Sequence, residues 1–519
     1  QRLLDTLSKF DVVMVSHHKT RSKKATNYGL SVSQIELVHQ LQSVVPITLT
    51  VFGNPYSIRA FDKISSLMLA FTEDPMAQEA AAQAWFGAAD IVGRLPVEVS
   101  PEARYRQGKV VHFYNKRLVY DLPESAGMSS DSLAMLDNIA RELIETGAAP
   151  GCQIMVVKDG KMVWNKAYGH YTYERMTPVT TETMFDLASI TKVAATTMAT
   201  MQLVDKGLFQ LNKPVSTYVP ALRGTNKEGI VFNELLVHQA GLQAWIAFYK
   251  NTIDAKKIPL TRLYRPAKEI GFTIPVAANL WMRDAYRDSI WQEIYASPLR
   301  PDKTYKYSDL TMFLTAQAIE NTTQKPLDQY VYEQFYRPLG LSTMMYNPWK
   351  KGLSARCAPT EMDNYFRQQV IQGYVHDMGA AMMGGVSGHA GLFSTANDLA
   401  VLFQMLLNGG QYAGKRYLKP ETVRLFTQRQ MGSTRRGFGF DMKELDPKAT
   451  ANMSELAGVN TFGHSGFTGN VVWADPDQNL IFIFLSNRTY PSMENNKLIS
   501  GDYRPKLQSV VCRAIKLRK

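Results

Sequence analysis

The sequence predicts two architectures in one chain: parallel α/β layers over the first hundred residues, then a larger α+β region built on antiparallel hairpins. Three observations predict this. Short β-branched runs alternate with helix-period segments at the start of the chain, the pattern of parallel layers. An Asp-Gly turn at Asp159-Gly160 joins two apolar runs, as tight hairpins prefer, and a second hairpin pattern surrounds Pro476. At 519 residues and 45% hydrophobic composition the chain can bury two cores.

In the first region, residues 10–16 read as a buried strand, 33–41 as an amphipathic helix, 47–55 and 65–71 as strands, and 75–89 as a helix. Glu73 and Asp74 stand just before that helix. An acidic pair there complements the positive end of the helix dipole, so it receives no catalytic role. Gly93-Arg94-Leu95-Pro96 ends the region, and residues 105–125 read as a connector with a short strand around 109–113.

The second region begins with a helix near Ser130. Residues 151–157 and 161–167 flank Lys158-Asp159-Gly160 as strand, turn and strand. Met184-Phe185-Asp186-Leu187-Ala188 then leads into Ser189-Ile190-Thr191-Lys192 and an apolar run to Val204, a helix suited to a core. Tyr307-Ser308-Asp309 precedes a helix over 310–319. His464-Ser465-Gly466 introduces the second hairpin, with strands at 470–474 and 480–485.

Ser189 and Lys192 are the informative pair. On the first turn of a helix, residues i and i+3 share a face. The lysine amine can then hold or remove the serine proton and make a weak nucleophile competent. The helix N-terminus adds a favourable dipole. The alternative is a core helix that begins with Ser-x-x-Lys by chance, and Ser16-His17-His18-Lys19 has the same spacing at a strand end.

Ser189-x-x-Lys192, Tyr307-Ser308-Asp309 and His464-Ser465-Gly466 occur in that order. Leu235-Leu236-Val237-His238-Gln239-Ala240-Gly241-Leu242, Pro338-Leu339-Gly340-Leu341 and the 390–399 segment, with its capping-box-like Thr395-x-x-Asp398, lie between them. Together they resemble the penicillin-recognising serine hydrolases over residues 126–519, in the branch that holds class C β-lactamases, esterases, D-amino-acid peptidases and amidases. The resemblance implies a β-lactamase/transpeptidase-like domain with an antiparallel sheet and a helical lobe. It also implies two-step acyl transfer with Ser189 as nucleophile and Lys192 and Tyr307 moving the proton. The N–H groups of Ser189 and Phe467 would form the oxyanion hole, with Phe467 on the strand after Gly466. His464 would act with them, two cations (Lys192 and a partly charged His464) drawing Tyr307 toward phenolate.

Two positions depart from the pattern. Asp309 stands where β-lactamases carry Asn, and His464 where they carry the Lys that attracts the β-lactam carboxylate. Both departures resemble the esterase, D-peptidase and amidase branches. Asp309 is expected to position Lys192 or a substrate amine, with a helix N-cap as the alternative. Ser465 and Gly466 are expected at the substrate, as are His389 and Arg356 as ligands of a substrate carboxylate, with structural roles as the alternative for the last two. Tyr286-Arg287-Asp288 and His389-Ala390-Gly391 are rival motifs. Tyr307 is preferred because it opens a helix, and His464 because it opens a strand.

Phe52-Gly53-Asn54-Pro55-Tyr56, the segment 78–87 and Gly93-Arg94-Leu95-Pro96-Val97 resemble the C-terminal sandwich domain of family 3 glycoside hydrolases, β-N-acetylglucosaminidases above all. On that resemblance residues 1–104 are part of an αβα sandwich, and the absent glycosidase barrel belongs to a longer protein. The two resemblances together imply a peptidoglycan-derived muropeptide or peptide as substrate, in the cell envelope or periplasm. Val375-His376-Asp377 and the 384–392 segment resemble the branch of N-acetylmuramoyl-L-alanine amidases. D-peptidase, esterase or β-lactamase activity is the alternative, and a non-catalytic cell-wall binding module is the competing class.

The net charge of +12 is spread along the chain, with short clusters at 21–24 and 516–519, so solvated surface is preferred to nucleic-acid binding. Cys152, Cys357 and Cys512 are far apart, and no histidine motif has zinc spacing. No metal or cofactor is expected. No stretch is long and apolar enough to span a membrane.

Overall fold

The computed structural model describes residues 2–18, 20, 23–112, 117–430, 432 and 435–516. Lys19 of the second tetrad, Phe113 of the connector strand, and Arg21, Ser22, Leu517, Arg518 and Lys519 of the basic clusters lie outside the described residues. The chain forms two compact units, Gln1–Val119 and Tyr120–Lys519.

The first unit holds three parallel strands, Val13–His17, Ile47–Phe52 and Leu67–Ala70, in that order. The helix Val32–Val44 starts at Ser31 with a capping box, its side chain accepting from the Gln34 N–H while Gln34 accepts from the Ser31 N–H. Asp74 accepts from the Ala77 N–H at 2.9 Å and so caps the helix Pro75–Trp85, a local structural role. Leu49, Val51 and Phe61 are wholly buried in this unit's core. The expected connector strand is reduced to one bridge between Ile91 and Val111, with Val110 left exposed.

The second unit is built on an antiparallel sheet. Its strands run in the order Asp441–Met442, Phe462–Ser465, Val471–Asp475, Leu480–Ser486, Gly151–Lys158 and Lys161–Gly169. A two-residue edge strand at Val119–Tyr120 completes it, where the chain passes between the units. Asp159 and Gly160 both have positive φ, +53° and +74°, as a type I′ hairpin turn requires. The C-terminal hairpin pairs beside the N-terminal one, Phe482 opposite Val156, which closes a very long loop. Helices Ser130–Glu145 and Tyr503–Ala514 pack on one face through Leu136, Leu143, Leu507 and Val511. Helix Ala396–Leu407 packs against the central strands. Its expected capping box is not formed. Asp398 instead accepts from the N–H and hydroxyl of Thr343, both at 2.7 Å, and Thr395 makes no capping bond.

The helix that follows Ser189 is buried on all sides from Lys192 to Leu203. It opens with a π-turn at Lys192–Thr196 and continues as α-helix over Thr197–Asp205. Such an insertion widens one turn and is frequent at functional sites.

Asp186 ties the surrounding pieces together. Its buried carboxylate accepts from the N–H groups of Ala188 at 2.8 Å and His376 at 2.6 Å. Its carbonyl accepts from Thr468 Oγ1 and Asn470 Nδ2, both at 2.7 Å. One residue thus fixes the turn before Ser189, the His376 segment and the turn that carries Phe467. Gly466 sits so close that a Cβ would lie 2.6 Å from the Leu187 carbonyl oxygen. In Asp186→Asn the amide cannot accept from both N–H groups, and one buried donor loses its partner. The variant should unfold in urea with about 1–3 kcal/mol less stability than the parent.

Candidate active site

Ser189 is presented by a strained turn. Ala188 has φ +45°, a conformation uncommon for a residue with a Cβ, and its N–H is held by Asp186. The N–H groups of Ile190, Thr191 and Lys192 bond to the carbonyls three residues back, which tightens the opening turn. Ser189 remains half-buried while Lys192 is fully buried.

Two groups meet at the serine, and two more hold the lysine. Lys192 Nζ and Tyr307 OH each donate to Ser189 Oγ at 2.9 Å. Lys192 Nζ also contacts Asp309 Oδ1 at 2.7 Å and donates to the His389 carbonyl at 3.1 Å. Asp309 makes no capping bond to the helix Leu310–Thr323, so its carboxylate serves the lysine rather than the helix end. Tyr286 also opens a helix, Tyr286–Ala296, so that criterion does not separate the rivals; the hydrogen bond to Ser189 selects Tyr307.

The electrostatics differ from expectation. Burial alone would discharge Lys192, but Asp309 and Tyr307 outweigh it and push its pKa above the ordinary lysine value. Tyr307 is pushed up, because burial exceeds the pull of Lys192 and Asp309 adds to it. Burial and then the charge of Arg436 push His464 down to about 3. His464 is therefore neutral and does not draw Tyr307 toward phenolate. Its Nδ1 donates to the Ser465 carbonyl at 2.6 Å, which leaves the lone pair on Nε2, buried and without a partner among the described residues. The ring stands 5.9 Å from that of Tyr307 and does not line the cavity.

The sequence left His238 without a role. Its Nδ1 accepts from the Ser308 N–H at 3.2 Å, its ring lies 4.9 Å from that of Tyr307, and its carbonyl accepts from the Lys306 N–H. Burial and then Arg436 push its pKa well below the ordinary imidazole value. This neutral ring fixes the tyrosine loop. Its place in the Leu235–Leu242 landmark was the sequence signal for it.

A cavity of about 410 Å³ opens at Ser189. Trp245, Phe248, Tyr249, Phe313 and Phe467 give it aromatic walls, and Asp309, His376, Asp377 and His389 are its other polar groups beside Ser189 and Tyr307. Neither lysine nor arginine lines it among the described residues.

Of the expected ligands, His389 reaches this cavity, but both ring nitrogens are engaged: Nε2 donates to Asp377 and Nδ1 meets Ser387 Oγ, both at 2.8 Å. Burial would raise the Asp377 carboxyl, yet the charge and hydrogen bond of His389 hold it well below the usual carboxylate range. Arg356 is not brought to the cavity. It pairs with Glu182 at 3.1 Å on the surface. Ser465 and Gly466 do not line the cavity either. Phe467 does, from the turn between strands Phe462–Ser465 and Val471–Asp475 rather than from a strand.

The comparisons with known proteins agree with this fold. A family model described as Beta-lactamase matches residues 136–500. A Salmonella typhimurium (strain LT2) protein provisionally named D-alanyl-D-alanine carboxypeptidase is 33% identical over 405 residues, which is 72% of this chain and 87% of that protein. Its namesake in Escherichia coli (strain K12) is 31% identical over 411 residues, 73% of this chain and 88% of that one. Among solved structures, EstCE1, a hydrolase with promiscuous acyltransferase activity, aligns with a TM-score of 0.55 at 19% identity, over 74% of this chain and 99% of that one. A family VIII carboxylesterase aligns at 0.52 and 18% identity with the same coverage. The chain belongs to the β-lactamase family and is a serine hydrolase.

Proposed function

We propose that this serine hydrolase cleaves an internal amide of peptidoglycan-derived fragments, the N-acetylmuramoyl-L-alanine bond, through an acyl-enzyme on Ser189. Ser189 Oγ attacks the carbonyl and its proton passes to the Tyr307–Lys192 pair. The same pair returns that proton to the leaving amine, and water then releases the acyl group by the reverse sequence. The oxyanion is held by the N–H groups of Ser189 and Phe467, neither of which has a hydrogen-bond partner among the described residues.

The observation that carries the choice of bond is the absence of lysine and arginine from the cavity wall, together with a neutral His464. A free carboxylate next to the scissile bond, as in a C-terminal D-alanine or a β-lactam, finds no lysine or arginine on that wall among the described residues. An internal amide presents none. The relatives' name favours D-alanyl-D-alanine carboxypeptidase as the second reading. On the first reading, the resemblance of residues 1–104 to a β-N-acetylglucosaminidase domain suits a muropeptide substrate.

Mass spectrometry of N-acetylmuramoyl-peptide incubated with the chain should show free peptide and N-acetylmuramic acid, with Ser189→Ala inactive. Release of terminal D-alanine instead would establish the carboxypeptidase reading. Tyr307→Phe should lower kcat by about 10²–10⁴-fold.

The pH profile follows from the ion pair. With Lys192 and Tyr307 both protonated, Ser189 has no proton acceptor, so kcat/KM should rise with pH as the pair loses a proton. Asp309 raises both pKa values, favouring ammonium and disfavouring phenolate. Asp309→Asn should therefore move the ascending limb to lower pH, and a limb that stays in place or moves up contradicts this assignment.

A further inference from the structure

We propose that a groove adjoining the Ser189 cavity is a second substrate subsite, one that takes a peptide arm carrying both carboxylate and ammonium groups. This rests on the acyl-hydrolase reading above and extends it from the scissile bond to the rest of the substrate. The groove has a volume of about 810 Å³ and shares Tyr249 and Met493 with the cavity at the serine. The groove therefore lies directly beside the cavity, across these two residues.

The lining of the groove differs from that of the cavity. Lys250 and Lys257 face it, as do Asp254 and Glu494. Lys250, Lys257 and Glu494 are exposed, and their charged atoms have no partner among the described residues. Groups of both signs left unpaired on an open wall suit a ligand that brings both signs; an apolar arm would leave them hydrated and gain nothing from them.

The walls are held in place rather than loose. Asp254 accepts from the N–H groups of Lys256 and Ile258 at 2.8 and 2.9 Å, and its own N–H donates to the Ile258 carbonyl. Gln368 Nε2 donates to the Lys257 carbonyl at 3.0 Å, so the loop presenting Lys257 is set before a ligand arrives.

The partition between groove and cavity is one hydrogen-bonded unit. Buried Glu361 accepts from the Met493 N–H at 2.9 Å and from Tyr365 OH at 2.8 Å, and meets His376 Nε2 at 2.9 Å. His376 lines the cavity and stacks on Phe467 at 5.7 Å. The two spaces therefore share a fixed wall that ends at the proposed oxyanion turn.

Binding can be read without turnover in the intact chain carrying Ser189→Ala. By calorimetry at low ionic strength, N-acetyl-alanyl-glutamyl-lysine amide should bind about tenfold tighter than its uncharged counterpart N-acetyl-alanyl-glutaminyl-norleucine amide, the scale of two exposed ion pairs. The preference should shrink with added salt, and should fall about threefold when Lys250→Ala and Lys257→Ala are added, the loss of one of the two pairs. Equal binding of the two peptides, undetectable binding of both, or a preference unchanged by the lysine substitutions would overturn the proposal. Because no bond is cut, the two readings fail separately. A charge preference without muramoyl-amide cleavage sinks the amidase reading alone, and cleavage without the preference sinks the groove alone.

Discussion

The active region depends on one buried aspartate. Asp186 has no lysine or arginine among its hydrogen-bond partners. Its carboxylate rests on two backbone N–H groups, one beside the nucleophile and one in the His376 segment, and its carbonyl gathers the Phe467 turn. Burial pushes its pKa up, and the two N–H bonds oppose that shift. These contacts bring together segments nearly three hundred residues apart. Local propensity cannot align them to within a hydrogen bond, whereas a single polar hub with every partner satisfied can.

Around the serine, charge is allotted by burial and by one carboxylate. Asp309 lets a fully buried lysine stay an ammonium, and the same carboxylate disfavours phenolate at Tyr307. Behind the tyrosine, His238 and His464 are both neutral because they share a buried neighbourhood with Arg436. Among the described residues, Lys192 is held on the inner side of the cavity at the nucleophile, and neither lysine nor arginine lines the walls.

Much of this was legible in the sequence, for identifiable reasons. The Asp159-Gly160 turn announces its hairpin because few residue pairs adopt two successive left-handed conformations. Ser189 and Lys192 were recognisable because their i, i+3 spacing carries the chemistry, and Tyr307 and Asp309 because their order after them resembles the family's motifs. The charge state of His464 was not legible, because it depends on Arg436 and on burial, neither of which is local to the motif. Arg356 was misassigned because an exposed arginine finds its nearest carboxylate, Glu182, and sequence distance hides that pairing. Asp186 stood in the run that leads into Ser189 with no role assigned, and nothing short of tertiary structure reveals its four partners. Asp398 likewise matched a capping spacing but was claimed by Thr343, fifty-five residues away.

The widened turn at Lys192–Thr196 has a consequence for how this helix tolerates change. In a regular α-helix each residue advances the azimuth by about 100°, so the orientation of the Ser189–Lys192 face would dictate which side chains downstream meet the core. The inserted residue offsets that phase by a fixed rotation, so the Thr197–Asp205 half presents to the core a face that a regular helix would not align with the lysine. Loss of one residue from the widened turn would re-phase the helix and swing Lys192 away from the serine while every side chain in the motif remained present.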